Sequence, residues 1–308
     1  MNIKNALRTS FVLFSFFAFV SCAFLPVVVL AQENSFSPVT EEIITPHWQP
    51  LSDVTGAVSF FYGNIDSPRI EFWALRVDMS APELRIVVRG GAPSGENVRN
   101  TLSIRVSSFV RDNGLLAGIN AVPFDISSAE EGLRITNVGI VVSDGVVIAP
   151  ANPHFDALVW YDDGTVSIVN QAELRSAENI QNAVGGFHQI LKANELTERV
   201  AGREARHARS AAGICADGKY LYLLVIDGRR MGSIGSTEAE TAMLLRALGS
   251  RDGINLDGGG SSSMAVRGND GNVSVVNNPV HGGIPGRERA VAGSLGIELI
   301  LPDCNGNF

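Results

Sequence analysis

The chain has 308 residues, of which 45% are hydrophobic and 18% are charged. This much apolar material excludes a disordered or collagen-like protein, and the length allows one large domain or two smaller ones. The formal net charge of −8 provides no cationic surplus for binding a phosphate backbone, so no nucleic-acid partner is expected.

The first residues show the pattern of a secretory signal. Lys4 and Arg8 precede a long apolar stretch without a charged residue. We expect residues 1–31 to be a signal peptide that is cleaved before Gln32, with export to the periplasm or the extracellular space. The alternatives are an uncleaved leader, which would be the only membrane contact, or lipidation at Cys22.

Removal of the leader would leave two cysteines, Cys215 and Cys304. Export permits a disulfide between them, and the alternative is a buried Cys215 with a free Cys304 in the tail. The sequence contains no Cys-x-x-Cys pair and no Cys/His cluster, so we expect neither a metal site nor a cofactor.

Strand patterns dominate the region after an irregular lead-in at residues 32–53. Alternating or β-branched stretches at residues 70–77 and 84–88 predict two strands. Asp-Gly pairs between apolar stretches then predict three hairpins, whose turns contain Asp144-Gly145, Asp162-Asp163-Gly164 and Asp217-Gly218. Such hairpins indicate a largely antiparallel sheet.

Two helices are predicted between the strands. The first would begin at an N-cap at Asn100 and end before Gly114. Its apolar face would be formed by Leu102, Val106, Phe109 and Val110. The second would span Thr237–Leu248, where Thr237 and Glu240 make a capping box and Gly249 follows the last turn.

These elements predict an α+β fold with one domain over residues 54–302. A mixed, largely antiparallel sheet would carry the helices on its face, and residues 303–308 would form a tail.

The densest polar motif is Asn255-x-Asp257-Gly258-Gly259-Gly260-Ser261-Ser262, which follows a short apolar strand. Glycines let backbone N–H groups turn toward an anion and let a ligand approach closely. The serine hydroxyls add donors, and the Asp257 carboxylate can act as an acid, a base or a nucleophile. The Gly-Lys-Ser of a P-loop and the Gly-x-Ser-x-Gly of a nucleophile elbow are absent from it.

Together with further segments, this motif resembles the phosphodiester glycosidase family. The resemblance covers about residues 70–300, with departures at Pro123, Phe187, Ala208 and Ser210. The other matching segments are Asn120-Ala121 with Phe124-Asp125, Gly185-Gly186, His207-x-Arg209-Ser210, Asp227-Gly228-Arg229, Gly235-x-Thr237-x-x-Glu240-x-Ala242 and Glu288-Arg289-x-Val291.

The resemblance implies roles for these residues. Asp257 would be the principal catalytic carboxylate, with Asp227 or Asp125 as its partner. Arg209 and Arg289 would clamp a phosphate together with the backbone of Gly258, Gly259, Gly260, Ser261 and Ser262. The remaining substrate-binding residues would be Asn120, His207, Arg229, Asn255 and Glu288.

Several of these residues have structural alternatives. Asp227 can serve as a turn former, and His207 and Arg209 can be surface residues. Glu288 and Arg289 can form a simple ion pair on a loop.

The predicted function is therefore that of an exported hydrolase that cleaves a sugar-1-phosphodiester in a glycan or glycoconjugate. Its partner would be a carbohydrate or sugar-phosphate substrate. Two alternatives stay open: a non-catalytic glycan-binding protein of the envelope, and a metal-dependent phosphodiesterase with Asp227, Asp257 and Asn255 as oxygen ligands.

Overall fold

The computed structural model describes residues 44–91, 101–174 and 176–300, all of which belong to one compact unit. Outside these residues lie several predicted features: the signal peptide of residues 1–31 with Cys22, the N-cap Asn100, Cys304 and the tail of residues 303–308. Within the described ranges, no helix is long and apolar enough to cross a membrane.

Strands form most of the regular structure in the described residues. In chain order they are Gln49–Pro50 (β1), Val58–Asp66 (β2), Arg69–Asp78 (β3), Leu84–Arg89 (β4), Thr101–Leu102 (β5), Ala117–Asn120 (β6), Arg134–Ile135 (β7), Val141–Ser143 (β8), Val146–Ala149 (β9), Asp156–Tyr161 (β10), Val166–Asn170 (β11), Ile180–Gly185 (β12), His188–Lys192 (β13), Glu195–Leu196 (β14), Arg209–Ile214 (β15), Tyr220–Ile226 (β16), Asp252–Asn255 (β17), Met264–Arg267 (β18), Val273–Val275 (β19), Val280–His281 (β20), Ile284–Pro285 (β21) and Ser294–Leu299 (β22).

Two α-helices, Val106–Asp112 (α1) and Glu238–Leu248 (α2), accompany these strands in the described part of the chain. Every ladder between the strands is antiparallel. The expectation of a largely antiparallel sheet is therefore confirmed, but the fold is β-rich rather than an even α+β mixture.

Three larger sheets surround the central core. Their strand orders are β1-β2-β3-β16-β15-β17-β13-β14, β11-β10-β12-β8-β9 and β19-β18-β6-β22-β4. Side chains alternate between the two faces of β3. Leu75 and Val77 lie in the central core, whereas Phe72 and Ala74 lie in a second core. This second core also contains the apolar side of α2. Helix α1 packs with β18 and neighbouring residues in a smaller cluster.

The three Asp-Gly hairpins are confirmed. In the β8–β9 turn both Asp144 and Gly145 have positive φ, 48° and 76°, as a two-residue type I′ turn requires. The other two turns join β10 to β11 and β15 to β16. In the last of them the Cys215 thiol donates to Asp217 at 2.8 Å, and Cys304, with which export would permit a disulfide, lies outside the described residues.

The first helix is shorter than predicted. It begins at Val106 after an N-cap at Arg105, and Leu102 is 46% exposed in β5 instead of facing the core. Two long-range contacts explain the difference: β5 pairs with β7, and the Glu288 carboxylate accepts the backbone N–H of Ser107 in the first helical turn.

The second helix has the predicted ends. Thr237 is the N-cap, and its side chain exchanges hydrogen bonds with Glu240 in a capping box. Gly249 ends the helix with φ 114°, a left-handed conformation that favours glycine.

Candidate active site

The polar motif lies where two sheets meet. It follows β17, and the backbone N–H of Asp257 donates to the Ala121 carbonyl at 2.9 Å, just beyond the end of β6. The Asn120 side-chain amide donates to the Asp257 carbonyl at 2.6 Å. These two bonds fix the backbone of Asp257 between the strand ends, so its carboxylate has a defined position.

The Asp257 carboxylate is the most perturbed acid of the site. Its Oδ2 atom is shielded from solvent and has no hydrogen-bond partner among the described residues, although the residue as a whole is partly exposed. Burial raises the pKa of Asp257 from 3.8 to about 6, against the opposing effects of the Ser261 hydroxyl, the Arg289 charge and the Gly258 backbone. A carboxyl group with such a pKa and an unsatisfied oxygen is typical of a reaction centre.

Arg289 lies beside this carboxylate and contacts three parts of the site. Its Nε donates to the His281 Nδ1 atom at 3.0 Å, and its Nη1 donates to the Ser261 hydroxyl at 3.0 Å. Its Cζ atom lies 2.9 Å from the position that a Cβ atom would take at Gly260. The guanidinium therefore occupies space that only a glycine at position 260 leaves open.

Arg229 forms a second cationic wall against the same turn. It has a positive φ of 62° and is exposed, and its Nη1 donates to the Val280 carbonyl at 3.5 Å. Its Nη2 lies 2.7 Å from the position of a Cβ atom at Gly259, whose own φ is 65°. Each of these glycines thus faces a guanidinium group.

Substitution of Gly260 by Ala should impair the site without destabilising the fold. The nearest atoms that the added methyl group meets belong to the end of the Arg289 side chain and not to the backbone, so we expect kcat/KM to fall about 10- to 100-fold with little loss of stability. Gly56→Ala is the matched control, because a Cβ atom there meets no other described atom within 4 Å. Steady-state kinetics and thermal unfolding of both variants check this, and equal activities would contradict the placement of Arg289.

Two further polar atoms of the motif lack partners. The Asn255 Oδ1 atom and the Ser262 hydroxyl are buried and unpaired among the described residues. Buried polar groups are normally satisfied, so a ligand that brings donors would complete them. The motif therefore offers acceptors at Asn255 and Asp257, and the adjacent Arg229 and Arg289 add cations.

Asp227 is saturated by internal donors. Its Oδ2 accepts from Arg230 Nε and Nη2, at 2.9 and 2.6 Å, and its Oδ1 accepts from Asn277 and from the Asn278 backbone, both at 3.0 Å. Arg230 also contacts Glu71. The carboxylate is buried and joins the end of β16 to the segment that leads into β20.

Arg209 also directs its donors inward. Its nitrogens reach the carbonyls of Ser236 and Ala205, at 3.3 and 3.1 Å, and the Glu238 carboxylate at 3.5 Å. The side chain is 10% exposed. These contacts join β15 to the start of α2 and give the Arg209 donors internal acceptors.

His207 is exposed at the rim, and its backbone pairs with Ser236. Desolvation, followed by the charges of Arg209 and Arg229, lowers the pKa of His207. The ring is therefore neutral at physiological pH and can donate one hydrogen bond at the edge of the cationic wall.

Asn120 and Asp125 have separate surroundings. The Asn120 Oδ1 accepts from the Ser210 hydroxyl at 2.6 Å and from the Ser263 backbone at 3.1 Å, so this buried amide supports the site from behind. Asp125 is exposed, and its carboxylate accepts the N–H of Thr136, the residue that follows β7, at 2.8 Å. The structure shows no contact between Asp125 and Asp257.

Glu288 and Arg289 do not form the simple ion pair that their adjacency permits. The Glu288 carboxylate accepts from the Ser263 hydroxyl at 2.8 Å and contacts the Ser107 hydroxyl. It is buried, and these contacts use both of its carboxylate oxygens. Glu288 thus anchors α1 to the serine motif while Arg289 faces Asp257.

Three residues of the site carry no predicted role: His281, Arg230 and Asn277. His281 lies between glycine-rich segments, and this pattern is too weak to predict a contact for it. Arg230 lies just after the Asp227-Gly228-Arg229 segment, and Asn277 has no motif context because its contact with Asp227 joins residues 50 positions apart.

The metal-site alternative does not match the donor arrangement. Of its three oxygen ligands, Asp227 has both carboxylate oxygens occupied by Arg230, Asn277 and Asn278. In the described part of the chain, no group of three or more His, Cys, Asp or Glu residues could hold a metal ion together.

The sequence and the fold of this chain are similar to those of known proteins. Residues 113–298 match the phosphodiester glycosidase family. A stretch of 183 residues is 29% identical to the SPbeta prophage-derived uncharacterized protein YomE of Bacillus subtilis (strain 168), which covers 56% of this chain and 27% of that relative. The chain thus spans about a quarter of the length of this curated relative.

Solved structures share the fold. The catalytic domain of zebrafish N-acetylglucosamine-1-phosphodiester α-N-acetylglucosaminidase, auto-inhibited by its pro-peptide, superposes with a TM-score of 0.60 at 20% identity, covering 83% of this chain and 88% of that domain. A protein of Burkholderia pseudomallei K96243 that is named as exported gives a TM-score of 0.54 at 17% identity, covering 75% of this chain and 74% of that one.

Proposed function

The chain belongs to the phosphodiester glycosidase family, and we propose that it hydrolyses a sugar-1-phosphodiester. The bond that breaks joins the anomeric carbon to the phosphate oxygen. Water supplies the new oxygen of the sugar, and a phosphomonoester leaves.

One observation carries this proposal: the Asp257 carboxylate has an unpaired oxygen and feels the charge of Arg289, while Arg229 lies against Gly259 of the same turn. Arg229 and Arg289 suit the anionic phosphate, since guanidinium groups bind phosphate oxygens with paired donors. The unpaired acceptors of Asn255 and Asp257 suit sugar hydroxyl groups, which donate hydrogen bonds. A sugar phosphate combines these two requirements in one ligand.

Asp257 supplies the reactive carboxylate. With a pKa of about 6 it is ionised near neutral pH, so it can attack the anomeric carbon or remove a proton from the attacking water. Positive charge develops on the sugar in the transition state, and a nearby carboxylate stabilises it. Arg289 and Arg229 stabilise the charge that gathers on the departing phosphate, so the leaving group needs no proton.

The proposed catalytic set is narrower than the one that the resemblance implies. Asp227 and Arg209 hold the framework through their internal partners, and Asp125 lies in a separate exposed contact. His207 and Ser262 extend the binding surface. We propose residues 54–302 as the catalytic domain, and export of the protein from the leader pattern of residues 1–31.

The test is hydrolysis of a panel of sugar-1-phosphodiesters by the full-length protein in ¹⁸O-labelled water. Cleavage at the anomeric carbon places the label in the sugar, whereas a phosphodiesterase places it in the phosphate. We expect label in the sugar and loss of release in Asp257→Asn, with Asp66→Asn on the exposed end of β2 as the matched control.

Two results would contradict the proposal. Label in the phosphate would show P–O cleavage and a phosphodiesterase. Tight binding of a panel member without any release would favour a glycan-binding protein.

A further inference from the structure

His281 makes a contact that fixes its protonation state. Its ring is half-buried in β20, and Nδ1 lies 3.0 Å from the Arg289 Nε atom. A guanidinium group has only donors, so Nδ1 must be the acceptor and must carry no proton. The ring proton of a neutral His281 is therefore on Nε2.

The contact also fixes the plane of the Arg289 guanidinium. His281 accepts from Nε and Ser261 accepts from Nη1, so two separate edges of the planar group are bound. The remaining nitrogen, Nη2, lies against Gly260 and has no acceptor among the described residues. A planar group that is bound on two edges presents its third edge in one orientation.

We propose that His281 is a positioning residue whose neutral ring orients Arg289 for binding the phosphate of the substrate. This inference rests on the proposed function, which makes Arg289 a phosphate ligand. His281 acts through Arg289 and takes no part in the bond-breaking step.

The charges around His281 keep its ring neutral. Partial burial, followed by the charges of Arg289, Arg287 and Arg229, lowers the pKa of His281. These arginines come from the chain after β21 and from the loop after β16. The nearby acid is Asp257, whose negative charge acts on Arg289.

Protonation of His281 would place an N–H donor opposite the Arg289 Nε–H. The two donors and two positive charges would repel, and Arg289 would leave its position. A histidine that simply added charge to the pocket would act in the opposite direction, because its protonation would strengthen anion binding. The sign of the pH dependence therefore separates the two roles.

The experiment measures the affinity for sulfate, which stays a dianion between pH 5 and 8, by isothermal titration calorimetry. Asp257→Asn is the background, so that the carboxyl group does not titrate in this range. His281→Asn and His281→Ala are added to it. Asn can offer its Oδ1 atom near the position of Nδ1 without titrating, whereas Ala offers no acceptor.

We expect sulfate binding in the background variant to weaken several-fold as the pH falls. The His281→Asn addition should keep the affinity at pH 8 and remove that pH dependence. The His281→Ala addition should weaken binding about tenfold at pH 8, the loss expected for a disordered charge-assisted contact. His207 is common to all three proteins, so it cancels from the differences.

Three outcomes would overturn the inference: tighter binding on acidification that requires His281, equal affinity of the Ala and Asn variants at pH 8, or no sulfate binding at all. Failure of the proposed function has a different signature. It would show as no sugar release by the wild-type protein while the pattern of sulfate binding holds.

Discussion

Asp257→Asn will make the protein more stable at pH 8 while it removes most of the turnover. Burial raises the pKa of the Asp257 carboxyl from 3.8 to about 6, so the folded protein holds the ionised form at a cost of about 3 kcal/mol above pH 6. Between pH 3.8 and 6 the folded state keeps a proton that the unfolded state has released. Stability from this group is therefore lost as the pH rises through that window.

Asparagine has nearly the same shape and never ionises, so it avoids this cost. The gain in unfolding free energy should be about 2–3 kcal/mol at pH 8 and much smaller near pH 4. Urea denaturation of the wild type and the variant at both pH values checks this. An equal gain at both pH values would show that ionisation of Asp257 is not its cause.

The kinetic effect should be larger. Loss of a catalytic carboxylate reduces kcat by about 10²–10⁴-fold, and binding of sulfate should persist because Arg229 and Arg289 remain. In the wild type, activity should fall as the pH drops below about 6, where Asp257 becomes protonated. A decline above pH 6 instead would assign Asp257 the role of a general acid. Asp66→Asn should keep the wild-type profile.

The local features of this fold are predictable from sequence. An Asp-Gly turn such as Asp144-Gly145 specifies its geometry through two residues, and the Thr237–Glu240 capping box specifies the start of α2. In both cases the interacting groups are neighbours in the chain, so the pattern contains the information.

The start of α1 shows where such reasoning stops. The apolar spacing of Leu102 with Val106 and Phe109 favours a longer helix, but β7 and Glu288 decide where the helix begins. Both contacts connect segments that are distant in sequence. The spacing of apolar residues within one segment contains no information about such contacts.

The same limit applies to the site. The glycine-serine motif with Asp257 is recognisable because its residues are contiguous. The roles of the arginines cannot be recognised in the same way. Arg209 and Arg229 both lie near the predicted site, and only the fold shows the internal acceptors of Arg209. Likewise the Oδ1 atom of Asp227 is occupied by Asn277 and Asn278, about 50 residues away, which no pattern around Asp227 indicates.

The second large effect is expected for Arg289→Lys, which keeps the charge and removes the planar group. Arg289 contacts His281 and Ser261 at the same time and lies against Gly260, and a lysine ammonium cannot reproduce this arrangement. We expect kcat/KM to fall about 100-fold or more and sulfate binding to weaken about tenfold or more.

Arg287→Lys is the matched control, because Arg287 is exposed and two residues away, and the same charge is kept. It should retain kcat/KM within about threefold, as surface substitutions usually do. Kinetics, sulfate titration and urea denaturation of both variants provide the test. If Arg289→Lys retained most of its activity, a point charge would be enough at this position. The geometry that joins Asp257, Ser261 and His281 around the guanidinium group would then have no role in binding the phosphate.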